Sequence, residues 1–260
     1  MEHILQHFRP EEKPFIEQVV GWQREVEDRY APKLTDFLDP RERFIVQAII
    51  KQSEDCRLMS SGGFLQAERQ RVLIYPSYYE PTAEDFQIAL FRINYPVKFV
   101  SLTHPQVLGT LTASGIDRKR FGDIRLEDNE VQCAVSEEIA DFLQVQMTAV
   151  GKAKVALEKI TIQQALAPSD EKWEEQLHTV SAMRLDVVLA SALTISRQKA
   201  QQLITSGRVK VNHTVREDRA FELHEEDLLS VRGYGRMKVI AIEGRTRKQK
   251  IKVIIGALTD

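Results

Sequence analysis

Between Phe86 and Gln163 the spacing of apolar residues changes period in a set order, and few folds accept that order. Phe86 to Tyr95 reads as a strand, Pro105 to Ser114 as a helix, and Asp123 to Leu126 with Glu130 to Val135 as a hairpin across Glu127-Asp128-Asn129. Glu137 to Val150 then reads as a helix and Ala156 to Gln163 as a strand. The order β-α-β-β-α-β is the split βαβ or ferredoxin-like arrangement, with four strands in one sheet and two helices on a single face. The other face is expected to be free for a partner. Reading RNA there as an RNA-recognition motif does would need aromatic residues on the central strands. The third strand, Glu130-Val131-Gln132-Cys133-Ala134-Val135, has none, so base stacking is not expected on it.

The chain before this segment reads as mostly helical. From Glu12 to Tyr30, Phe15, Ile16, Val19, Val20, Trp22 and Val26 form one helical stripe. A second helix has its start written out: Asp39 as cap, Pro40 in the first turn, Glu42 three residues after the cap, then Phe44, Ile45, Ala48 and Ile49 inward. Arg57 to Ser60 and Arg71 to Tyr75 flank Gly62-Gly63 as two strands. This gives a mixed α+β chain in three parts: a helical subdomain with a short hairpin over 1–76, a ferredoxin-like, RRM-like domain over 77–167, and a basic module over 181–260. Pro168 to Glu175 is polar and acidic and reads as a linker, with Trp173 able to dock on a neighbour.

In the basic module, Leu185, Val188 and Leu189 mark the inner side of one helix. Ser196 caps a second, whose Ala200, Leu203 and Ile204 continue inward until Gly207 ends it. Arg197 and Lys199 fall in the first turn of that helix, where the dipole disfavours cations and a bound phosphate would remove the conflict. The plain alternative is two solvated charges. Arg208-Val209-Lys210-Val211-Asn212 alternates as a strand, with Val209 and Val211 on one face and Arg208 and Lys210 on the other. Lys248, Lys250 and Lys252 alternate with Ile251, Val253 and Ile255 and could equally guard a strand edge. Gly233-Tyr234-Gly235, between Arg232 and Arg236, reads as a tight turn open to close approach by a sugar-phosphate backbone.

Charge separates the module from the rest. The net charge of the 260 residues is only −2, yet Ser181 to Asp260 holds 15 Lys and Arg against 9 Asp and Glu, leaving −8 on the remainder. An acidic body carrying a basic module localises any phosphate-binding surface, and the body is expected to meet a protein or avoid RNA. Cys56 and Cys133 stand far apart, which suits reduced, buried thiols in a cytoplasmic protein. Met1 to His7 lacks a basic stretch followed by an apolar core, and nowhere do about 18 apolar residues run together, so neither secretion nor membrane spanning is expected. His3 and His7 share at most a helical face, and His104, His178, His213 and His224 are scattered. No metal site is expected, no phosphate-cradling loop or nucleophile elbow is present, and no cofactor is called for.

Arg184-Leu185-Asp186-Val187-Val188-Leu189, Ser196 to Ile204, Gly207 to Asn212 and Val231 to Arg236, in that order, resemble the RNA-binding domain named after small-subunit ribosomal protein four, the S-four domain. Gly115-Ile116-Asp117-Arg118-Lys119-Arg120-Phe121-Gly122-Asp123-Ile124, with Gly62-Gly63 and Glu68-Arg69-Gln70-Arg71 ahead of Tyr75-Pro76, resemble the YlmH-type proteins of Gram-positive bacteria. The S-four resemblance implies Arg184, Arg197, Lys199, Arg208 and Lys210 as contacts to RNA backbone; Arg232 and Arg236 join them as the flanks of the Gly233-Tyr234-Gly235 turn, an ordinary hairpin turn being the alternative. Arg118, Lys119 and Arg120 are expected as a secondary loop contact, a solvated charge cluster being the alternative. Overall the resemblance implies a non-catalytic, ribosome-associated binder of structured rRNA or tRNA. Close S-four relatives engage a stalled large subunit still carrying peptidyl-tRNA.

Two other functions compete. Arg184-Leu185-Asp186 is also similar to the triplet of S-four-bearing pseudouridine synthases, in which the aspartate attacks the nucleotide and Thr-Ser-Gly follows shortly. Here a helix stripe follows instead, and only 74 residues remain after Asp186. The other is an interaction scaffold, for example in cell division, with the S-four domain as a vestige.

Overall fold

The computed structural model describes residues 8–167 and 173–258, and its contacts divide the chain into two units, 1–169 and 170–260. The first unit opens with α1 (Lys13–Arg29), which buries Ile16, Val19 and Val26 of the expected stripe. After β1 (Lys33–Leu38) comes α2 (Pro40–Ile50), started as its sequence dictates. Asp39 accepts from the Glu42 N–H at 2.8 Å, and Glu42 accepts from the Asp39 N–H at 3.0 Å. β2 (Cys56–Ser61) and β3 (Gln70–Pro76) pair as expected, and β1 completes an antiparallel sheet in the order β1-β3-β2.

The unit continues with β4 (Ile88–Asn94), α3 (His104–Ala113), β5 (Phe121–Glu127), β6 (Glu130–Ser136) and α4 (Ala140–Gln146). The small hairpin β7 (Ala149–Val150) and β8 (Ala153–Lys154) then leads into β9 (Ala156–Ile160). The sheet order β5-β6-β4-β9 is the ferredoxin-like one. The helix expected to reach Val150 stops at Gln146, because Ala149 to Lys154 turn back through Gly151 at φ +58. Phe91, Ile93, Val131, Cys133 and Val135 face the helices, where they meet Val107, Leu111 and Leu143.

The other face of this sheet is not free. Leu90, Ala134 and Ile160 are covered by Phe37 from β1 and by Phe64 and Ala67 from the loop after Gly62-Gly63. That corrects the expectation of an open face, and the glycines show how close the layers come. At Gly63, with φ +81, a Cβ would lie 2.8 Å from Ile88 and 2.9 Å from Leu90; at Gly122 it would lie 2.7 Å from the Phe37 ring.

Buried arginines fasten the same joint. Arg71 donates to the carbonyls of Thr35 at 2.8 Å and Gln87 at 2.9 Å, and Arg69 donates to that of Phe37 at 2.7 Å. Asp123 accepts from the backbone N–H groups of Glu68 at 2.6 Å and Arg69 at 3.0 Å, although burial pushes its carboxyl above the ordinary range. The Glu68-Arg69-Gln70-Arg71 motif is therefore a structural tie.

The second unit is a six-stranded antiparallel sheet under two helices. Its elements are β10 (Glu174–Val180), α5 (Leu185–Ala192), α6 (Arg197–Thr205), β11 (Val209–Val211), β12 (Thr214–Val215), β13 (Leu228–Val231), β14 (Gly235–Arg245) and β15 (Ile251–Leu258), in the sheet order β10-β15-β14-β13-β11-β12. Leu185, Val188, Leu189, Ala200, Leu203 and Ile204 pack on Val209, Val211, Leu229, Val231, Val253 and Ile255. β10 takes Glu174 and Glu175 out of the expected linker and into the sheet; residues 168–172 lie outside the described residues. Trp173 and Ile240 pack over Gly256, where a Cβ would sit 3.1 Å from Trp173 and 2.9 Å from Ile240. β15 is an interior strand and starts only at Ile251, so Lys248 and Lys250 belong to the turn before it and Lys252 guards no edge.

Among the described residues no helix is long and apolar enough to cross a membrane, and no three His, Cys, Asp or Glu are grouped to hold a metal ion. His3 and His7 lie outside the described residues. Cys56 and Cys133 are free and buried.

Candidate nucleic-acid interface

Arg184 directly precedes α5 and Arg197 is the first residue of α6, so the packing of the two helices brings both to one carboxylate. Asp186, in the first turn of α5, is fully buried. Its Oδ1 accepts from Arg184 Nε at 3.1 Å, and its Oδ2 accepts from Arg184 Nη2 at 3.3 Å, Arg197 Nε at 2.9 Å and Gln201 Nε2 at 2.9 Å. Burial alone would raise this carboxyl; the hydrogen bonds from Gln201, Arg184 and Arg197 outweigh it and hold the group below its ordinary range. The arginine side chains stay 41% and 55% exposed. Each guanidinium thus spends its inner edge on Asp186 and turns its remaining N–H groups outward, an arrangement suited to phosphate oxygens.

Lys199 is exposed in the same turn of α6, where its backbone N–H is capped by Ser196 Oγ at 3.2 Å. The Asp186 N–H donates to the Arg219 carbonyl at 3.2 Å and the Leu185 N–H to that of Phe221 at 2.8 Å. These bonds lay the loop at 219–221 along the start of α5 and bring exposed Arg219 to the site. Sequence reasoning missed Arg219, because no local period joins it to α5. Gln201 could have been found, since it lies four residues after Arg197 on the same helix face.

The remaining cations are placed by the sheet. Lys210 is exposed between buried Val209 and Val211. It lies opposite Ser230, which lies opposite Arg236, so Lys210 and Arg236 share a row on the face turned away from the helices. The Arg232 N–H donates to the Arg208 carbonyl at 3.0 Å, setting those two side by side at the strand ends. The turn Arg232-Gly233-Tyr234 follows, with Gly233 and Gly235 both at φ +87. The structure therefore unites Arg184 and Arg197 through Asp186 and sets Lys210 with Arg236 on a different face.

Arg118, Lys119 and Arg120, the expected secondary contact, each have a partner within the first unit. Arg118 donates to the Phe121 carbonyl at 2.6 Å, and burial, with Arg69 nearby, lowers its pKa to about 10. Lys119 lies 3.9 Å from Glu42, while Arg120 pairs with Asp36 at 3.3 Å and with Glu138. An attacking aspartate also finds no support at Asp186: neither oxygen is open to a nucleotide, and both are held by donors.

Three family models match the chain: "YlmH, N-terminal" over residues 11–79, "Putative RNA-binding domain in YlmH" over 81–164 and "S4 domain" over 183–229. The chain is 45% identical over 253 residues to the Ribosome-associated protein quality control protein P2 of Bacillus subtilis (strain 168), a match covering 97% of this chain and 98% of that one. Among solved structures it is similar to the Cell division protein ylmH from Streptococcus pneumoniae, at a TM-score of 0.55 and 35% identity, over 62% of this chain and 97% of the other.

Proposed function

This chain belongs to the YlmH family, and from that premise we propose a non-catalytic RNA-binding protein of the cytoplasm that associates with the ribosomal large subunit. It holds structured rRNA or tRNA by phosphates and shape more than by base sequence, and it acts in rescue or quality control of stalled translation. The relative in Bacillus subtilis carries ribosome-associated quality control in its name. The observation that carries the proposal is the pair Arg184 and Arg197, anchored on buried Asp186 with their outer edges free at the start of two helices. Lys199 extends this contact along the start of α6, while Arg208 and Arg232 at the strand ends, and Lys210 and Arg236 on the other face of the sheet, take a separate part of the folded RNA. In this reading the part at 181–260 holds the RNA, and the acidic body, divided into 1–76 and 77–167, meets a protein neighbour or avoids RNA.

Sedimentation from cell lysate tests this. The protein is expected to travel with large subunits at moderate salt, and Arg197→Ala to shift it toward the top of the gradient. A wild-type protein that stays at the top, and crosslinks to neither rRNA nor tRNA, would overturn the proposal.

A further inference from the structure

Arg245, Arg247, Lys248, Lys250 and Lys252 fall within eight residues at the tip of the β14–β15 hairpin, and no Asp or Glu lies between Glu243 and Asp260. All five are exposed. The turn is closed mainly by backbone groups and Thr246, with Thr246 N–H to the Lys250 carbonyl at 2.7 Å, Gln249 N–H to the Thr246 carbonyl at 2.9 Å and Lys250 N–H to Thr246 Oγ1 at 3.1 Å. Arg245 also donates to the Gln249 carbonyl at 3.4 Å. Among the described residues none of the five meets a carboxylate. Lys252 protects no open edge, since β15 runs between β10 and β14, and Arg247, Lys248 and Lys250 lie in the turn outside any strand.

Like charges held this close repel one another, and a polyanion relieves that repulsion. The tip also has a neighbour. Ile251 pairs with Val180, the last residue of β10, and Arg184 follows four residues later, within about 14 Å even for a fully extended chain. The tip therefore stands at the end of the sheet from which the chain leads on to Arg184, outside the span of 183–229 that matches the S-four model. It presents no apolar anchor of the kind that carries a protein interface.

We infer that the β14–β15 tip is a second phosphate-binding site, which takes the backbone of the same folded RNA that meets Arg184 and Arg197. This rests on the RNA-binding reading above. The test is binding of the full chain to bulk tRNA across a salt series, for the wild type, R247A/K248A/K250A, R247K/K248R/K250R and Arg197→Ala. The alanine triple is expected to lower the log–log salt slope by about two units and affinity at moderate salt by about tenfold or more. The charge-conserving triple keeps both, and the thermal midpoint is unchanged in each because the turn is exposed. A wild-type slope in the alanine triple, with Arg197→Ala still weakened, overturns this inference and leaves the proposed function standing. A wild type without salt-dependent tRNA binding overturns both. Unaltered tRNA binding with loss of a copurifying acidic protein would assign the tip to that protein and overturn the inference.

Discussion

Asp186 and Arg197 stand eleven residues apart in the chain and meet at 2.9 Å, the carboxylate fully buried and the guanidinium more than half exposed. The pair works as an anchor, because an acid cut off from water cannot release its partners to solvent cheaply. Arg184 shares the anchor, so two flexible side chains lose much of their freedom before any ligand arrives, and binding has less ordering left to do.

Arg197→Ala should weaken binding to folded RNAs of unrelated sequence by similar factors. The log–log salt dependence should flatten by about 0.7 to 0.9 of a unit, the share of one phosphate contact. Filter binding at several salt concentrations reads both quantities; a loss confined to one RNA sequence would assign Arg197 to a base edge.

Asp186→Asn should reduce RNA affinity even though it removes a negative charge, a sign opposite to simple electrostatics. It turns an acceptor into a donor facing Arg184, Arg197 and Gln201, and should cost about 1–2 kcal/mol of stability at pH 7, the arginines being able to turn toward water. The folded carboxyl titrates below its unfolded counterpart, so its stabilisation is complete above the ordinary carboxylate range and lost as pH falls through the folded value. Urea unfolding should therefore show the gap between wild type and variant closing as pH drops below about 4. A gap that widens in acid would contradict the role given to Asp186.

Phe37→Ala should destabilise the first unit by about 3–5 kcal/mol, since the ring is fully buried against the second face of the ferredoxin-like sheet. Gly63→Ala should also destabilise it, through a strained positive φ and contacts under 3 Å with Ile88 and Leu90. Chemical unfolding followed by Trp22 fluorescence measures both. Wild-type stability in Phe37→Ala would mean the sheet face is not closed in solution.

Cys133 should resist thiol reagents at pH 8 in the native state, because burial lifts its pKa to about 12 and leaves almost no thiolate. In urea it should react at once, alongside Cys56. Rapid native labelling of Cys133, located by peptide mapping, would show that the core opens locally.

The readable parts of this fold were those with local causes. The Asp39 box started α2, and Ser196 and Gly207 bounded α6, because caps and glycines act within a few residues of themselves. Only the first two residues of β10 read as linker, since Glu174 and Glu175 look polar from either side, as an edge strand allows. The covered sheet face was invisible for another reason: Phe37 and Phe64 meet Leu90, Ala134 and Ile160 only through tertiary packing. Arg69 and Arg71, by composition surface residues, proved to be buried braces that satisfy backbone carbonyls. At the site, Arg184 and Arg197 followed from their motif, whereas Arg219 depended on how a distant loop returns to α5.

The layer formed by Phe37, Phe64 and Ala67 over the ferredoxin-like sheet bears on how this chain can be dissected. A fragment begun near residue 80 would strip Leu90, Ala134 and Ile160 of their cover and give a sticky, aggregating product whose RNA binding would mean little. Roles of the first two segments are better separated by single replacements within the intact first unit, and the productive place to sever the polypeptide is between the two units.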